Sequence, residues 1–192
     1  MFSRSLSIRQ SLFRSTTVRS FSTNYFKTLS IDPPTFKLEE KDLHARYKKL
    51  MVANHPDKFS GSDEVARLDP KEITNAFRTL KTPHLRADHL LSISGDELGE
   101  DNQSEVLPME FLMEMMEIRE ELEEIGDTES NEAERAKLEN LKDANLNRVN
   151  ATISVLEDAF DGSDIKLARE NTAKLNYYRR IEEEIKEKEA VV

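Results

Sequence analysis

Apolar positions recur at helical spacing along most of this chain. Leu43, Tyr47 and Leu50 fall at i, i+4 and i+7, one face of a helix expected from about Leu38 to Ala53. Lys41, Arg46, Lys48 and Lys49 lie largely off that face, so its solvent side is basic. Pro56 disfavours the α region for His55, which ends this helix by about Asn54. Before it, Tyr25, Phe26 and Leu29 predict one or two helical turns packed under the basic helix, broken by Asp32-Pro33-Pro34. After it, Phe59 to Ser62 reads as loop and Val65 and Leu68 as a short helical turn. Asp69-Pro70-Lys71-Glu72 then gives an N-cap, a proline at N1 and an acid at N3. Ile73, Ala76, Phe77 and Leu80 follow as the apolar face of a helix that packs antiparallel to the basic one. Thr82-Pro83 opens another helix by the same logic, and Gly95 stops it. Residues 94–107 are polar and acidic with two glycines, the composition of a linker.

Three more helices follow. Phe111, Met115, Ile118, Leu122 and Ile125 recur at intervals of four and three, a coiled-coil-like seam starting at Pro108 and ending at Gly126. A long helix from about Glu129 to Phe160 carries Leu138, Leu141, Val149, Ile153, Leu156 and Phe160. Asp161-Gly162 is a tight reversal, and the last helix carries Leu167, Leu175, Tyr178, Ile181 and Ile185. Amphipathic helices joined by short loops predict an antiparallel three-helix bundle.

The helix after Pro108 carries more apolar residues than one seam uses. Met109, Leu112, Met113 and Met116 form a second stripe, centred roughly 150° from the first. Only one stripe can enter the bundle. The other meets the preceding domain, solvent or a partner, and spacing alone leaves the choice open. Methionine suits adaptable binding surfaces. Glu114, Glu117 and Glu120 flank the patch, and Tyr177 sits off the core stripe of the last helix while Tyr178 lies on it.

Composition narrows the function. Of 192 residues 34% are charged and 7% aromatic, which suits helices with long solvated faces rather than a large globular core. Cysteine is absent, so disulfides, thiolate metal sites, a cysteine nucleophile and a cluster held on the chain's own thiolates are excluded. Residues 1–31 lack Asp and Glu, and Arg4, Arg9, Arg14 and Arg19 punctuate a Ser-rich stretch, the composition of a mitochondrial presequence. Arg19-Ser20-Phe21-Ser22 resembles a matrix-peptidase site cut after Phe21, and removing the four arginines would deepen the net charge of −10. The competing reading is a basic tail for an anionic partner. No apolar run is long enough to span a membrane.

The basic helix is followed at once by His55-Pro56-Asp57. An acid–base role for His55 and Asp57 would need a pocket and an orienting third group, and neighbouring residues supply neither a nucleophile nor a phosphate loop. A presented ligand fits better: Asp57 can pair with an arginine of a partner, and the basic face with an acidic groove. HPD with RYKKL upstream and an apolar helix downstream resembles the J-domain, by which J-proteins stimulate ATP hydrolysis in DnaK-type chaperones. The helix downstream of HPD is usually uninterrupted in J-domains, and Pro70 departs from that pattern.

FLMEMMEIREELEE at 111–124, YFKTLSI at 25–31, ANHPDKF at 53–59, RADHLLSISG at 86–95 and KLNYYRRI at 174–181 are similar to HscB-type J-proteins of iron–sulfur cluster assembly. The resemblance covers nearly all of the chain after the presequence. With the presequence and linker read from composition, it implies an all-α, two-domain, elongated or L-shaped protein: presequence 1–21, J-domain 22–95 with an antiparallel helical hairpin and HPD loop, linker 96–107, and a scaffold-binding three-helix domain 108–192. It implies chaperone contacts from His55, Pro56, Asp57, Lys48, Lys49 and Arg46. Contacts to an IscU- or Isu-type scaffold fall by position on Leu112, Met113, Met116 and Glu117, with Tyr177 and, more weakly, Glu120. Met116 stands where a leucine is common, a volume-conserving exchange. The tetracysteine metal module of some relatives is absent. The expected function is a mitochondrial matrix co-chaperone, not an enzyme, with no cofactor, that presents the scaffold to the chaperone and stimulates its ATPase. The alternatives are a general mitochondrial J-protein for folding or import with the bundle as an oligomerisation arm, and a small hydrolase using His55 and Asp57.

Overall fold

The computed structural model describes residues 23–54, 68–99, 103–126 and 131–190. The 1–21 presequence, the His55-Pro56-Asp57 turn, the 59–62 loop and Val65 lie outside the described residues. All regular elements among the described residues are helical: α1 (Tyr25–Thr28), α2 (Glu40–Ala53), α3 (Pro70–Lys81), α4 (Pro83–Ser94), a 3-10 turn (Ser104–Val106), α5 (Met109–Glu124), α6 (Glu132–Asp161) and α7 (Ile165–Ala190). This is the expected all-α architecture.

Helix ends follow local chemistry. Asp69 accepts a hydrogen bond from the Lys71 amide at 2.8 Å and Pro70 takes the first turn, so α3 starts as predicted. Leu68 is not helical; its amide donates to Asn54 Oδ1 at 3.1 Å instead. Thr82 stands at the N-cap of α4 but does not cap it. Its hydroxyl donates back to the Arg78 carbonyl at 3.0 Å, the alternative short polar side chains offer near helix ends. Gly95 closes α4 at φ 84°, with the Asp96 amide reaching the Leu91 carbonyl at 2.9 Å. At the end of α6 the left-handed residue is Ser163, φ 57°, while Gly162 stays right-handed at φ −79°. The reversal is where the sequence places it, one residue later in conformation.

Helices α2 and α3 form an antiparallel hairpin. Lys81 pairs with Glu40 at 3.0 Å, Tyr47 stacks on Phe77 with centroids 4.4 Å apart, and Leu68 reaches Asn54. The α1 turn packs chiefly against α3, not under α2. Phe26 and Leu29 are fully buried, and the Tyr25 amide donates to His89 Nε2 on α4 at 3.1 Å. That bond needs a neutral imidazole, and burial lowers the His89 pKa accordingly.

The second lobe is an up-down-up bundle. From α5 to α7 the contacts advance in the same direction: Phe111 on Tyr178, Arg119 to Glu184 at 3.1 Å, and Lys188 to the Ile125 carbonyl at 2.8 Å. From α5 to α6 they run in opposition, Glu114 pairing with Arg148 at 3.0 Å while Ile125 lies beside Leu141. The seam residues Phe111, Met115, Ile118, Leu122 and Ile125 are all buried in this bundle. Leu167, expected on the core stripe of α7, is exposed.

The lobes share a core. Leu156 of α6 and Leu175 of α7 lie fully or almost fully buried among Phe26, Phe36, Leu43, Ile73 and Leu80 of the first lobe. Phe36 stacks on Phe160 at 5.4 Å, and the Arg86 guanidinium covers Phe36 at 4.8 Å while donating to the Leu80 carbonyl at 2.7 Å. The described residues of the predicted linker are packed as well: Leu98, Gln103 and Leu107 are buried, and Leu98 and Leu107 join the bundle core. One lobe thus sits by the closed end of the α6–α7 hairpin and α5 lies toward its open end, which makes the molecule elongated.

Candidate functional site

Two surfaces carry the residues singled out by the sequence. On α2 the buried Leu43 and half-buried Tyr47 and Leu50 turn the helix so that Lys48 and Lys49 are exposed. Neither lysine has an ion-pair partner among the described residues. Arg46, expected on the same basic face, is engaged within the chain. Its Nε donates to Asp42 Oδ2 at 2.8 Å and its Nη1 to the Ser30 carbonyl at 2.6 Å, so the guanidinium ties α2 to the end of α1. Asn54 caps α2, donating to the Leu50 carbonyl at 2.9 Å and accepting from the Leu68 amide. It pins together the two ends of the segment that carries HPD, a role the sequence reading missed. Its signal is a single short amide side chain directly before that segment. His55, Pro56 and Asp57 themselves lie outside the described residues.

The second surface is the face of α5 opposite the seam. The open choice resolves here: Met109, Met113 and Met116 are 67%, 56% and 61% exposed, against 2% for Met115. They do not pack against the first lobe. Leu112 flanks this stripe, half-buried on the bundle core. Glu117 and Glu120 are exposed beside the methionines, while Glu114 is drawn aside by Arg148. Tyr177 is half-buried on α7. Its ring meets the edge of Phe111 at 5.8 Å and carries Arg180 at 5.3 Å, which fixes it beside α5. The structure therefore brings Leu112, Met113, Met116, Glu117, Glu120 and Tyr177 to one side of the bundle, as an apolar strip with an acidic border and an aromatic edge.

A third cluster lies between the lobes. Asn176 of α7 donates to both carboxylate oxygens of Asp88 on α4 at 3.4 Å. Burial pushes Asp88 up to about 6, opposed by Asn176 and Arg179. Burial and then Arg179 hold His84 down at about 4. The Arg179 guanidinium is itself paired with Glu183. Among the described residues no group of three or more His, Asp or Glu could hold a metal ion, and no helix is long and apolar enough to cross a membrane.

A family model described as the HSCB C-terminal oligomerisation domain matches residues 107–186. A co-chaperone protein HscB homolog of Shewanella baltica is 31% identical over 166 residues, covering 84% of this chain and 94% of the relative. Its counterpart in Vibrio cholerae is 39% identical over 106 residues, covering 53% and 61%. Among solved structures, human co-chaperone protein HscB superposes with TM-score 0.74 at 26% identity, covering 89% of this chain and 84% of that one. HscB from Vibrio cholerae gives 0.73 at 29%, covering 87% and 98%. The Jac1 co-chaperone from Saccharomyces cerevisiae, at 22% identity and TM-score 0.71 over 87% and 94%, shares the fold.

Proposed function

Since the chain belongs to the HscB co-chaperone family, we propose that it docks an IscU-type iron–sulfur scaffold on α5 and delivers it to a DnaK-type chaperone. The carrying observation is the exposed methionine strip beside Leu112 and Tyr177, on a helix whose other face is fully committed to the bundle. Apolar area and a fixed aromatic give such a surface its anchors, and the acidic border selects a partner with basic groups around an apolar centre. Lys48 and Lys49 on α2 give the chaperone a basic surface, next to the segment that carries Asp57.

The J-domain would act by differential binding: contacts from His55, Pro56, Asp57, Lys48 and Lys49 favour the hydrolysis-competent arrangement of the chaperone, and its cycle promotes cluster transfer from the scaffold. In this role the protein stimulates ATP turnover without performing it. The basic, acid-free residues 1–31 support action in the mitochondrial matrix. The deciding experiment measures ATP turnover by the chaperone with this chain alone, with scaffold alone and with both. Stimulation by the chain that rises further with scaffold is expected. No stimulation, or stimulation blind to scaffold, would overturn the reading.

A second reading treats the bundle as an oligomerisation arm of a general mitochondrial J-protein. The same exposed strip favours it, since uncovered apolar surface also drives self-association. Sedimentation of the full chain separates the two: a monomer that gains mass only with scaffold supports docking, and a dimer lost on Met113→Glu supports self-association.

A further inference from the structure

Four methionines of known placement lie in α5, and the fold sorts them by a single residue of register. Met109, Met113 and Met116 stand in water while Met115 is sealed in the bundle, and Met51 on α2 is half-buried. Thioether oxidation follows access to sulfur. An oxidant therefore meets one continuous strip of sulfur, and that strip is the proposed docking face.

We propose that Met109, Met113 and Met116 form a redox-sensitive modification site, at which peroxide converts the docking face to methionine sulfoxide and releases the partner without unfolding the bundle. This rests on the docking reading above. A thioether lone pair attacks one peroxide oxygen, the O–O bond breaks, and the departing hydroxide takes up a proton as water. Sulfur gains the oxygen and loses two electrons, and the peroxide is reduced. A dithiol, acting through a methionine sulfoxide reductase, returns the thioether and leaves a disulfide and water.

The consequence follows from solvation. Exposed sulfoxides are hydrated at no expense to the fold. Burying them against the apolar centre of the partner, while its basic groups face the acidic border, strips that hydration with no donor supplied in exchange. The flanking Glu117 and Glu120 are acceptors and give the sulfoxide oxygen no donor. Met116, 61% exposed, adds one more oxidisable position to the strip.

The test treats the full chain with hydrogen peroxide, maps oxygen addition by peptide mass, and follows thermal melting and affinity for a purified IscU-type scaffold. Oxidation at 109, 113 and 116 should run about tenfold or more ahead of that at 115. Melting should be unchanged, and affinity should fall by about tenfold or more and return after sulfoxide reductase treatment. A Met109→Leu, Met113→Leu, Met116→Leu variant, compared with its own untreated form, should show an affinity ratio near one after peroxide. Equal oxidation of Met115, early melting of the treated chain, or unchanged affinity in a chain with all three sulfoxides would each overturn the proposal. If the untreated chain fails to bind scaffold, the docking reading fails and the release claim goes with it. The mass map alone then still decides whether the strip is the preferred site of oxidation.

Discussion

Met115 and Met116 are adjacent, chemically identical and placed in opposite environments, so truncating each in turn tests the account of α5 directly. Met115→Ala empties a site that is 2% exposed between α6 and α7. Loss of transfer energy and the residual cavity should cost about 2–5 kcal/mol. For a chain of this size that lowers Tm by roughly 5–15 °C. Met116→Ala removes a side chain that is 61% exposed and should change stability by no more than about 0.5 kcal/mol. Binding should respond in the reverse sense, since Met116 lies on the strip and Met115 does not touch it. Two calorimetric melts and two scaffold titrations suffice. Comparable melting of the two variants would refute the assignment of faces. A stable Met116→Ala chain that binds scaffold as tightly as the parent would remove Met116 from the docking surface.

Asp57→Ala should abolish stimulation of chaperone ATPase and leave helicity and scaffold binding intact; undiminished stimulation would remove the J-domain role. Lys48→Glu with Lys49→Glu should weaken coupling to the chaperone, and coupling of the parent should fall as salt screens charges beyond about 8 Å at physiological strength; a coupling constant flat in salt counts against the basic face. Asp88→Asn should raise Tm near pH 7.5. Burial holds the folded Asp88 carboxyl up at about 6, so this group favours folding below its unfolded pKa of 3.8 and loses that contribution as pH rises through about 6. The advantage of the variant should therefore vanish at about pH 4, and an advantage independent of pH would show that the carboxyl charge is not its origin. His84 contributes in the opposite sense, losing stability as pH falls from 6.5 through about 4, so both forms should also weaken in acid.

The helices, the seam of α5 and most end signals are legible in the sequence because they depend on neighbours within one or two turns. Asp69-Pro70 and Gly95 work within their own segments, and the structure agrees with both. What spacing leaves open is the identity of the surface each apolar face meets. Leu156 and Leu175 lie on the stripes of α6 and α7, yet their neighbours are Phe26, Leu43 and Ile73 of the other lobe. The two faces of α5 are similarly apolar, and only the position of α6 and α7 decides which is covered. Arg86 gives no local signal of burial, since arginine is rarely enclosed; a carbonyl and a phenylalanine ring compensate it. Among the residues of the proposed docking face the methionines are legible as surplus to one seam. The commitment of Arg46 to Asp42 and Ser30 is half legible: the i, i+4 pair can be read from the chain, and the carbonyl 16 residues away cannot.

The packing of the described residues between the lobes bears on how the two proposed surfaces would act together. A flexible tether would leave α2 and α5 free to sample many orientations, and coupling would then be a matter of effective concentration. Here Leu98 and Leu107 are anchored in the bundle, Arg169 donates to the Asp96 carbonyl at 3.3 Å, and Phe160 stacks on Phe36. The mechanical connection runs through α6 and α7, each of which belongs to both cores. Leu138, Ile181 and Ile185 hold α5 near one end, and Leu156 and Leu175 hold the first lobe near the other. A partner seated on the methionine strip, as proposed, would therefore be carried at a set orientation to the basic face of α2. Its presentation would be decided by side-chain packing rather than by the length of the intervening chain.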